Sequence, residues 1–534
     1  MSPSPSAAGS EKTVEPDNLP TGNRATTYWR ELTDHSFVTP DVLTWEYPGS
    51  GTEDDPYAVT WIPSDSHNPQ RFSPLRKAVI TGLGAIITLG AAFTSSTYAG
   101  CVPQVMQDLG AGEELATAGI SLYVLGFAVG PLIWAPAGEI YGRQVILFIT
   151  YGAFTAFNAG STGSKSIATL LVLRFLAGSF SASSMTNTGG VIADMYVASE
   201  RGIPVGMFAL APFMGPVFGP IVGGYLGESD GWRWVSGFTA IFSGVLWLLA
   251  AVIIPETYTP LLLRKRARKL SGMTGKVHMS AIDIKMGSAM SSREQLKKGL
   301  LRPWSLIVSE PSLLFLSIYM SLLYGILYML FGAMPIVFQE GRGWSEGKGG
   351  LAFLGVAIGE VVACLYCIPE NQRYLRRAMK SGGSAEPEDR LVPAMIGAVA
   401  TPIGLFWFAW TNGPSVHPLV SIAAGAPFGF GMVLVFISVK NYLVDSYTVF
   451  AASAIAATVV MRSLFGAAFP LFTTYMYHGL GIHWASSVAA FLSLACTPLP
   501  FVLYKYGRGI RQKCKYSRQA MELAAITDQQ KSSG

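Results

Sequence analysis

Charge is scarce in this sequence. Only 13% of its 534 residues are Asp, Glu, Lys or Arg, whereas half are hydrophobic. The net charge of +5 does not indicate nucleic-acid binding, because the bases are spread over loops rather than gathered on a face. Cysteine is also sparse. Five cysteines give no disulfide framework, and the one C-x-x-C, Cys364 and Cys367, lies inside an apolar stretch, where small-residue packing is favoured over redox or metal chemistry. The chain lacks H-E-x-x-H and G-x-S-x-G, which argues against a membrane-embedded hydrolase, and lacks G-x-x-x-x-G-K-[ST], which removes ATP as an energy source. No metal or cofactor is expected. The N-terminus carries no cleavable secretory signal, so the first apolar run must itself direct insertion.

What the sequence has in abundance is long apolar runs. About twelve stretches reach the roughly 20 residues that cross a bilayer core of about 30 Å. They lie near 78–99, 115–136, 145–162, 167–188, 203–227, 234–254, 312–333, 349–368, 392–411, 418–439, 450–476 and 484–504. Bases concentrate in alternate loops. Arg264, Lys265, Arg266, Arg268, Lys269, Lys297 and Lys298 occupy the longest; Arg373, Arg376, Arg377 and Lys380 follow the eighth run; Lys505, Arg508, Arg511, Lys513 and Lys515 follow the last. The other loops hold only Lys165, Arg233, Arg342 and Lys348. The positive-inside rule then puts both termini in the cytoplasm. The expected organisation is a partly disordered tail (1–76), six spans (77–255), a basic linker (256–310), six more spans (311–504) and a second tail (505–534). Within the first tail, the aromatic stretch from Tyr28 to Trp61 is a candidate to fold back onto the cytoplasmic face.

A weak repeat supports the division. Asp194-Met195-Tyr196 and Asp445-Ser446-Tyr447 close the fourth and tenth spans 251 residues apart, and the same offset takes Gly215 to Gly466. Two halves related by an axis along the membrane normal would produce such a register.

The fifth span is the most distinctive. Residues 211–224 repeat a small residue, a proline and two apolar residues, so that Ala211, Gly215, Gly219 and Gly223 form one helical stripe and Pro212, Pro216 and Pro220 a second beside it. In water such proline density breaks a helix; in a bilayer, neighbouring helices satisfy the freed backbone groups and small residues permit close approach. The segment resembles the antiporter motif G-P-x-x-G-P-x-x-G-G of major facilitator superfamily exporters, with Gly215, Pro216, Gly219, Pro220, Gly223 and Gly224 in its fixed positions.

Other segments extend this resemblance from about Ala78 to Gly507. Gly130 to Arg143 (GPLIWAPAGEIYGR) is similar to the loop 2–3 signature of fungal drug:proton antiporters, with Gln144 where the family has a second base. The resemblance implies a latch between the halves made by Glu139, Gly142 and Arg143, with Arg143 paired to Asp194. Leu171 to Gly178 is similar to the fourth-span signature, which gives Arg174 a part in proton transfer by tuning a nearby acid. A guanidinium there costs at least about 2.5–3.5 kcal/mol and needs a partner or water. Pro255-Glu256-Thr257 matches the sequence that ends the sixth span, and Asn441 to Asp445 and Arg462 to Pro470 resemble the tenth and eleventh spans of fungal multidrug antiporters.

Glu360 stands outside the family pattern, midway along the eighth span. A carboxyl group there is either a proton carrier or half of a buried pair, and the sequence leaves both readings standing. Phe93 and Tyr98 of the first span, and Tyr319, Tyr324, Tyr328 and Phe331 of the seventh, are candidates for an aromatic cavity wall, with Arg462 beside them. The expectation is an all-α membrane protein of twelve helices in two pseudo-symmetric bundles around a central cavity. It would be a plasma-membrane, monomeric exporter of bulky amphipathic molecules in exchange for protons, with Arg174 and Glu360 in coupling and Glu139, Arg143, Asp194 and Asp445 in gating. A nutrient facilitator or polyamine exporter of the same fold is the rival; a polyamine pump would be expected to place several acids in the cavity.

Overall fold

The computed structural model describes residues 29–521 apart from 30–31, 64, 198–199, 201, 287–291 and 381–385. The N-terminal stretch expected to be disordered lies outside the described residues. Helix dominates. The first six long helices are α1 (Pro74–Thr97), α2 (Glu113–Tyr141), α3 (Arg143–Thr162), α4 (Ile167–Met195), α5 (Gly202–Asp230) and α6 (Trp232–Ile253). After the linker come α7 (Pro311–Met334), α8 (Leu354–Lys380), α9 (Val392–Thr411) and α10 (Gly425–Tyr447). Among the described residues eleven helical stretches are long and apolar enough to cross a membrane, but the last, Ala451–Lys513, is 63 residues long, too long for one crossing. Gly481 breaks it with φ +75°, a left-handed geometry that costs other residues about 1–2 kcal/mol. It yields α11 (451–480) and α12 (482–496, continued by Pro498–Lys513), so the chain has its twelve spans.

Several helices run past the apolar runs read from the sequence, and two of these extensions take in basic residues. The eighth helix runs to Lys380, taking Arg373, Arg376 and Arg377 into its last turns, and the tenth runs to Tyr447, taking in Lys440. Hydropathy marks where the hydrocarbon ends, whereas the backbone ladder continues for as long as side chains can reach water.

The helix pairing repeats. In the first half α1 packs along α5, α2 along α4, and α3 along α4 and α6. In the second, α7 packs along α11, α8 along α10, and α9 along α10 and α12. The halves meet along two seams, α2 with α11 and α5 with α8. We call the face bearing residues 32–72, the linker and the C-terminal helix the linker side, and the opposite face the far side.

On the linker side the N-terminal segment has structure of its own. Tyr57–Val59 (β1) pairs in parallel with His278–Ser280 (β2) of the linker. Val38, Val42, Tyr47, Val59 and Ile62 form a small core with Leu263, Ala267 and Leu270 of the linker helix Thr259–Thr274. The buried Arg266 guanidinium engages both oxygens of the buried Asp65 carboxylate and lies 4.7 Å over the Trp61 ring. Lys269 adds a half-exposed bond to Asp34 at 3.0 Å. Asp65→Ala leaves Arg266 buried without its anion, a loss of about 3–5 kcal/mol where both partners are desolvated. The expected outcome is that protease cuts 32–72 at least tenfold faster in Asp65→Ala than in the parent protein while α1–α12 stay intact; equal cleavage rates would show that the pair does not hold the segment.

Candidate functional site

The small-residue face of α5 meets α1 backbone to backbone. A methyl group added at Gly215 would lie 2.6 Å from the Phe93 nitrogen and 2.8 Å from the Leu89 carbonyl oxygen. One at Gly219 would lie 2.8 Å from the Thr97 nitrogen, and one at Gly223 would strike the Thr97 carbonyl. Ala211, on the same stripe, is buried. The neighbouring face of α5 crosses to the other half. Gly224 lies against the backbone of Glu346 and Gly347, and Gly350 against the Pro220 carbonyl and Ile221, so the short helix Glu346–Gly350 that leads into α8 sits on the far-side end of α5. Pro212, Pro216 and Pro220 all lie within the helix. Polar contacts fasten the same place: Gln104 donates to Glu346 at 2.8 Å and the Gly347 amide to Glu228 at 3.1 Å.

At the linker side each half carries a matching ionic cluster. Arg143 Nε donates to Asp194 at 2.7 Å, Thr257 adds a bond at 3.3 Å, and the guanidinium faces the Tyr258 ring at 5.0 Å. Burial, with help from Glu139, pushes the Tyr258 hydroxyl up to about 12, so it stays neutral there. Glu256 accepts from the backbone amides of Arg143, Gln144, Thr257 and Tyr258, capping α3 and closing the turn after α6. Gly142 supplies the tight turn, with φ +107° and no room for a methyl group beside Glu256. In the second half Asp445 accepts from Arg390 at 2.9 Å and from Tyr374 at 3.1 Å, and the Arg390 guanidinium lies 3.5 Å over the Tyr374 ring. The tyrosines of the repeat also match: Tyr196 accepts from Thr81 of α1 and Tyr447 bonds Ser312 of α7.

Both aspartates therefore pair inside their own half. The Arg143–Asp194 pair is the one the resemblance implied, and among the described residues no ion pair joins the two halves on the linker side. Glu139 is exposed and makes no ion pair among the described residues, whereas the inter-half contacts of Gln104, Glu228 and Glu346 lie on the far side.

Arg174 is buried, as an intramembrane guanidinium should be, but its partners are not acids. It donates to the Gly119 carbonyl at 2.7 Å and the Ser95 carbonyl at 3.1 Å, and stands over the Tyr98 ring at 4.1 Å and the Tyr123 ring at 5.1 Å. Carbonyl dipoles and ring faces thus do the work expected of a carboxylate, and Arg174 ties α1, α2 and α4 together. Gly178, one turn further along α4, allows the Tyr123 backbone to approach. Glu360 is fully buried and neither carboxyl oxygen has a hydrogen-bond partner among the described residues. It is not paired with Arg174.

A family model of the Major Facilitator Superfamily matches residues 84–470. The chain belongs to the major facilitator superfamily. Its relatives include the MFS-type efflux pump MFS2 of Trichophyton rubrum (57% identical, covering 92% of this chain and 83% of that protein). The multidrug transporter mdrA of Aspergillus fumigatus is 54% identical over 92% of this chain and 81% of that one, and the efflux pump FUBT of Fusarium oxysporum 52% identical over 90% and 81%. Two solved structures share the fold: the proton:xylose symporter XylE bound to 6-bromo-6-deoxy-D-glucose (TM-score 0.57, 14% identity, 82% of this chain and 96% of that one) and XylE of E. coli in a partially occluded inward open conformation (TM-score 0.54, 18% identity, 81% and 98%). As a member of this family the chain is a multi-pass membrane transporter of small molecules and not an enzyme.

In this superfamily member the aromatic residues divide between two environments. Tyr324 and Tyr328 stand between the halves: their rings are 4.9 Å apart, and the Tyr328 hydroxyl bonds Ser95 of α1 at 2.8 Å. Phe331 continues the row, 5.0 Å from Tyr328. Arg462 of α11 lies over Tyr324 at 4.9 Å. Phe93 instead packs on Phe238 and Phe242 of α6, Tyr98 is committed to the Ala116 carbonyl and Arg174, and Tyr319 sits beside Thr401 and Cys496 within the second half. These three do not line the central interface, because α1 and α7 each turn one face inward toward their own bundle. Residues that the sequence reading passed over are Lys440, Arg390, Tyr374 and Ser95. Only Arg390 had a signal, as the second-half counterpart of Arg143, and no second loop signature pointed to it.

The α5 packing makes a sharp prediction. Gly219→Val inserts three carbons where one already collides with α1, so transport should fall at least tenfold while Ala211→Gly, which adds nothing, retains it; uptake-loaded cells expressing each variant at equal membrane level give the comparison, and full activity in Gly219→Val would contradict close packing.

Proposed function

We propose that this transporter exports bulky amphipathic organic molecules across the plasma membrane in exchange for protons, as a monomer with its linker side facing the cytoplasm. The names of its relatives, efflux pumps and multidrug transporters at above 50% identity, support export. The antiporter-type glycine and proline stripes of α5 support the same direction. The basic linker, with Arg264, Lys265, Arg266, Arg268 and Lys269, supports a cytoplasmic linker side, because the loops of the far side carry only Lys165, Arg233, Arg342 and Lys348.

The observation that carries proton coupling is Glu360. Export against a gradient requires an energy source, and the sequence has no phosphate-binding loop for ATP. A carboxyl group held at full burial with two unpartnered oxygens is unfavourable unless a proton or a donor reaches it during the cycle. Among the described residues no base pairs with it, which favours a proton carrier over a static ion pair. Arg174 supports the cycle differently from the expectation: bound to carbonyls of α1 and α2, it positions those helices rather than biasing an acid.

Glu360→Gln preserves the shape and removes proton exchange. It should abolish uphill export of a multidrug substrate such as rhodamine 6G, giving a residual rate that a protonophore no longer lowers, while binding of the dye changes less than about threefold. Uphill, protonophore-sensitive export by Glu360→Gln would place the proton site elsewhere.

A further inference from the structure

Two part-buried basic side chains near the interface between the halves have no counter-ion among the described residues. Lys440 of α10 and Arg462 of α11 form no ion pair and no hydrogen bond among the described residues, and Arg462 Nε is buried without an acceptor. Both instead face aromatic rings. The Arg462 guanidinium lies 4.9 Å over Tyr324 and 5.9 Å from the Phe436 ring, and the Lys440 ammonium 5.7 Å over Phe208. Phe436 in turn packs on Phe213 at 5.0 Å and Tyr324 at 6.3 Å. Because Phe208 and Phe213 belong to α5, and Phe436, Lys440, Tyr324 and Arg462 to the second half, this cluster straddles the central interface. It lies on the linker side of the Ser95–Tyr328 bond that ties α1 to α7.

We infer that Lys440 and Arg462 form a binding site for the acidic group of an amphipathic organic anion, with Tyr324, Phe436 and Phe208 receiving its apolar body. This deepens the export reading and rests on it. Stacking on a ring uses the face of a guanidinium and leaves its in-plane N–H fork free, which is the geometry that receives a carboxylate through two bonds. Phe436, 5.9 Å from the Arg462 guanidinium, lies one helical turn before Lys440 on α10, so the two like charges are neighbours that repel, and an arriving anion removes that repulsion while satisfying the orphaned Arg462 donor. The nearest acid along α10, Asp445, is already held by Arg390 and Tyr374, so it is not free to serve as a competing counter-ion. A neutral or cationic substrate gains nothing from this pair. Polyamines are therefore disfavoured at this position. An anion leaving a cell with a negative interior also moves down the membrane potential, which adds to whatever Glu360 contributes.

The test uses purified full-length protein and two probes of equal shape, 1-naphthoate and 1-naphthamide, titrated calorimetrically. The parent protein should bind naphthoate about tenfold or more tightly than naphthamide. Lys440→Gln and Arg462→Gln should each weaken naphthoate about tenfold and leave naphthamide unchanged, which also reports an intact fold; Arg462→Lys, which keeps charge but loses the fork, should fall between. Equal affinity for the two probes, absence of naphthoate binding, unchanged naphthoate affinity in both glutamine variants, or parallel loss of both probes would each overturn the assignment. The readout is binding, so it is independent of transport direction; export of a neutral dye by the same variants tests the export reading separately.

Discussion

The structure depends on the contact that α5 makes on two sides without side chains. Gly215, Gly219 and Gly223 let it lie against the α1 backbone, and Pro220, Ile221 and Gly224 let the helix Glu346–Gly350 rest on its far-side end. In lipid there is no hydrophobic driving force between helices, so association comes from van der Waals contact and backbone polarity at short range. Smooth surfaces have a second property: they lack interlocking knobs, so one can slide or tilt against another at small cost. A helix that lies on α1 by one stripe and on the Glu346–Gly350 segment by another, where the Gly347–Glu228 and Gln104–Glu346 bonds hold the contact, is suited to a boundary between two bodies that rock.

The polar architecture agrees with that division. Each half closes its linker-side end with its own aspartate–arginine–tyrosine cluster, Asp194 with Arg143 and Tyr258, Asp445 with Arg390 and Tyr374. Glu256 in the first half and the bidentate Glu388–Arg511 pair in the second brace the terminal turns, at 2.7–2.8 Å for the latter. Arg174 locks three helices of the first half through carbonyls. These bonds brace each half from within, whereas the seam between halves is crossed by hydrogen bonds, Tyr328 with Ser95, Gln104 with Glu346 and the Gly347 amide with Glu228, and by no ion pair among the described residues. Within that seam sit the tyrosine pair, Lys440 and Arg462, which form no ion pair among the described residues, and Phe213 of α5, the groups that the proposed mechanism would expose alternately.

Much of this was legible in the sequence. Twelve apolar runs, the alternation of basic loops, the α5 stripes and the paired D-x-Y segments give the fold, because each reflects a local or periodic constraint. The Arg143–Asp194 pair was readable because a family motif marks it. The inward face of α1 was not, since Phe93 and Tyr98 lie on a helix that is apolar on every side, and periodicity cannot separate a bundle-facing ring from one that faces the seam. Lys440 escaped because hydropathy ended the tenth span one residue before it, although the helix continues. Arg174 was found, yet its partners are carbonyls of Ser95 and Gly119, groups that every residue carries and no sequence pattern reveals.

The central claim is that two rigid halves separate at the far side and close at the linker side. Spin labels at Asp230, at the end of α5, and Ser415, in the turn between α9 and α10, sit on opposite halves at exposed far-side positions. Double electron–electron resonance on the full chain in nanodiscs, with the five native cysteines replaced, measures their separation. The account predicts two distance populations whose ratio changes with substrate and with pH, and loss of that change in Glu360→Gln. A single distance under every condition would contradict it.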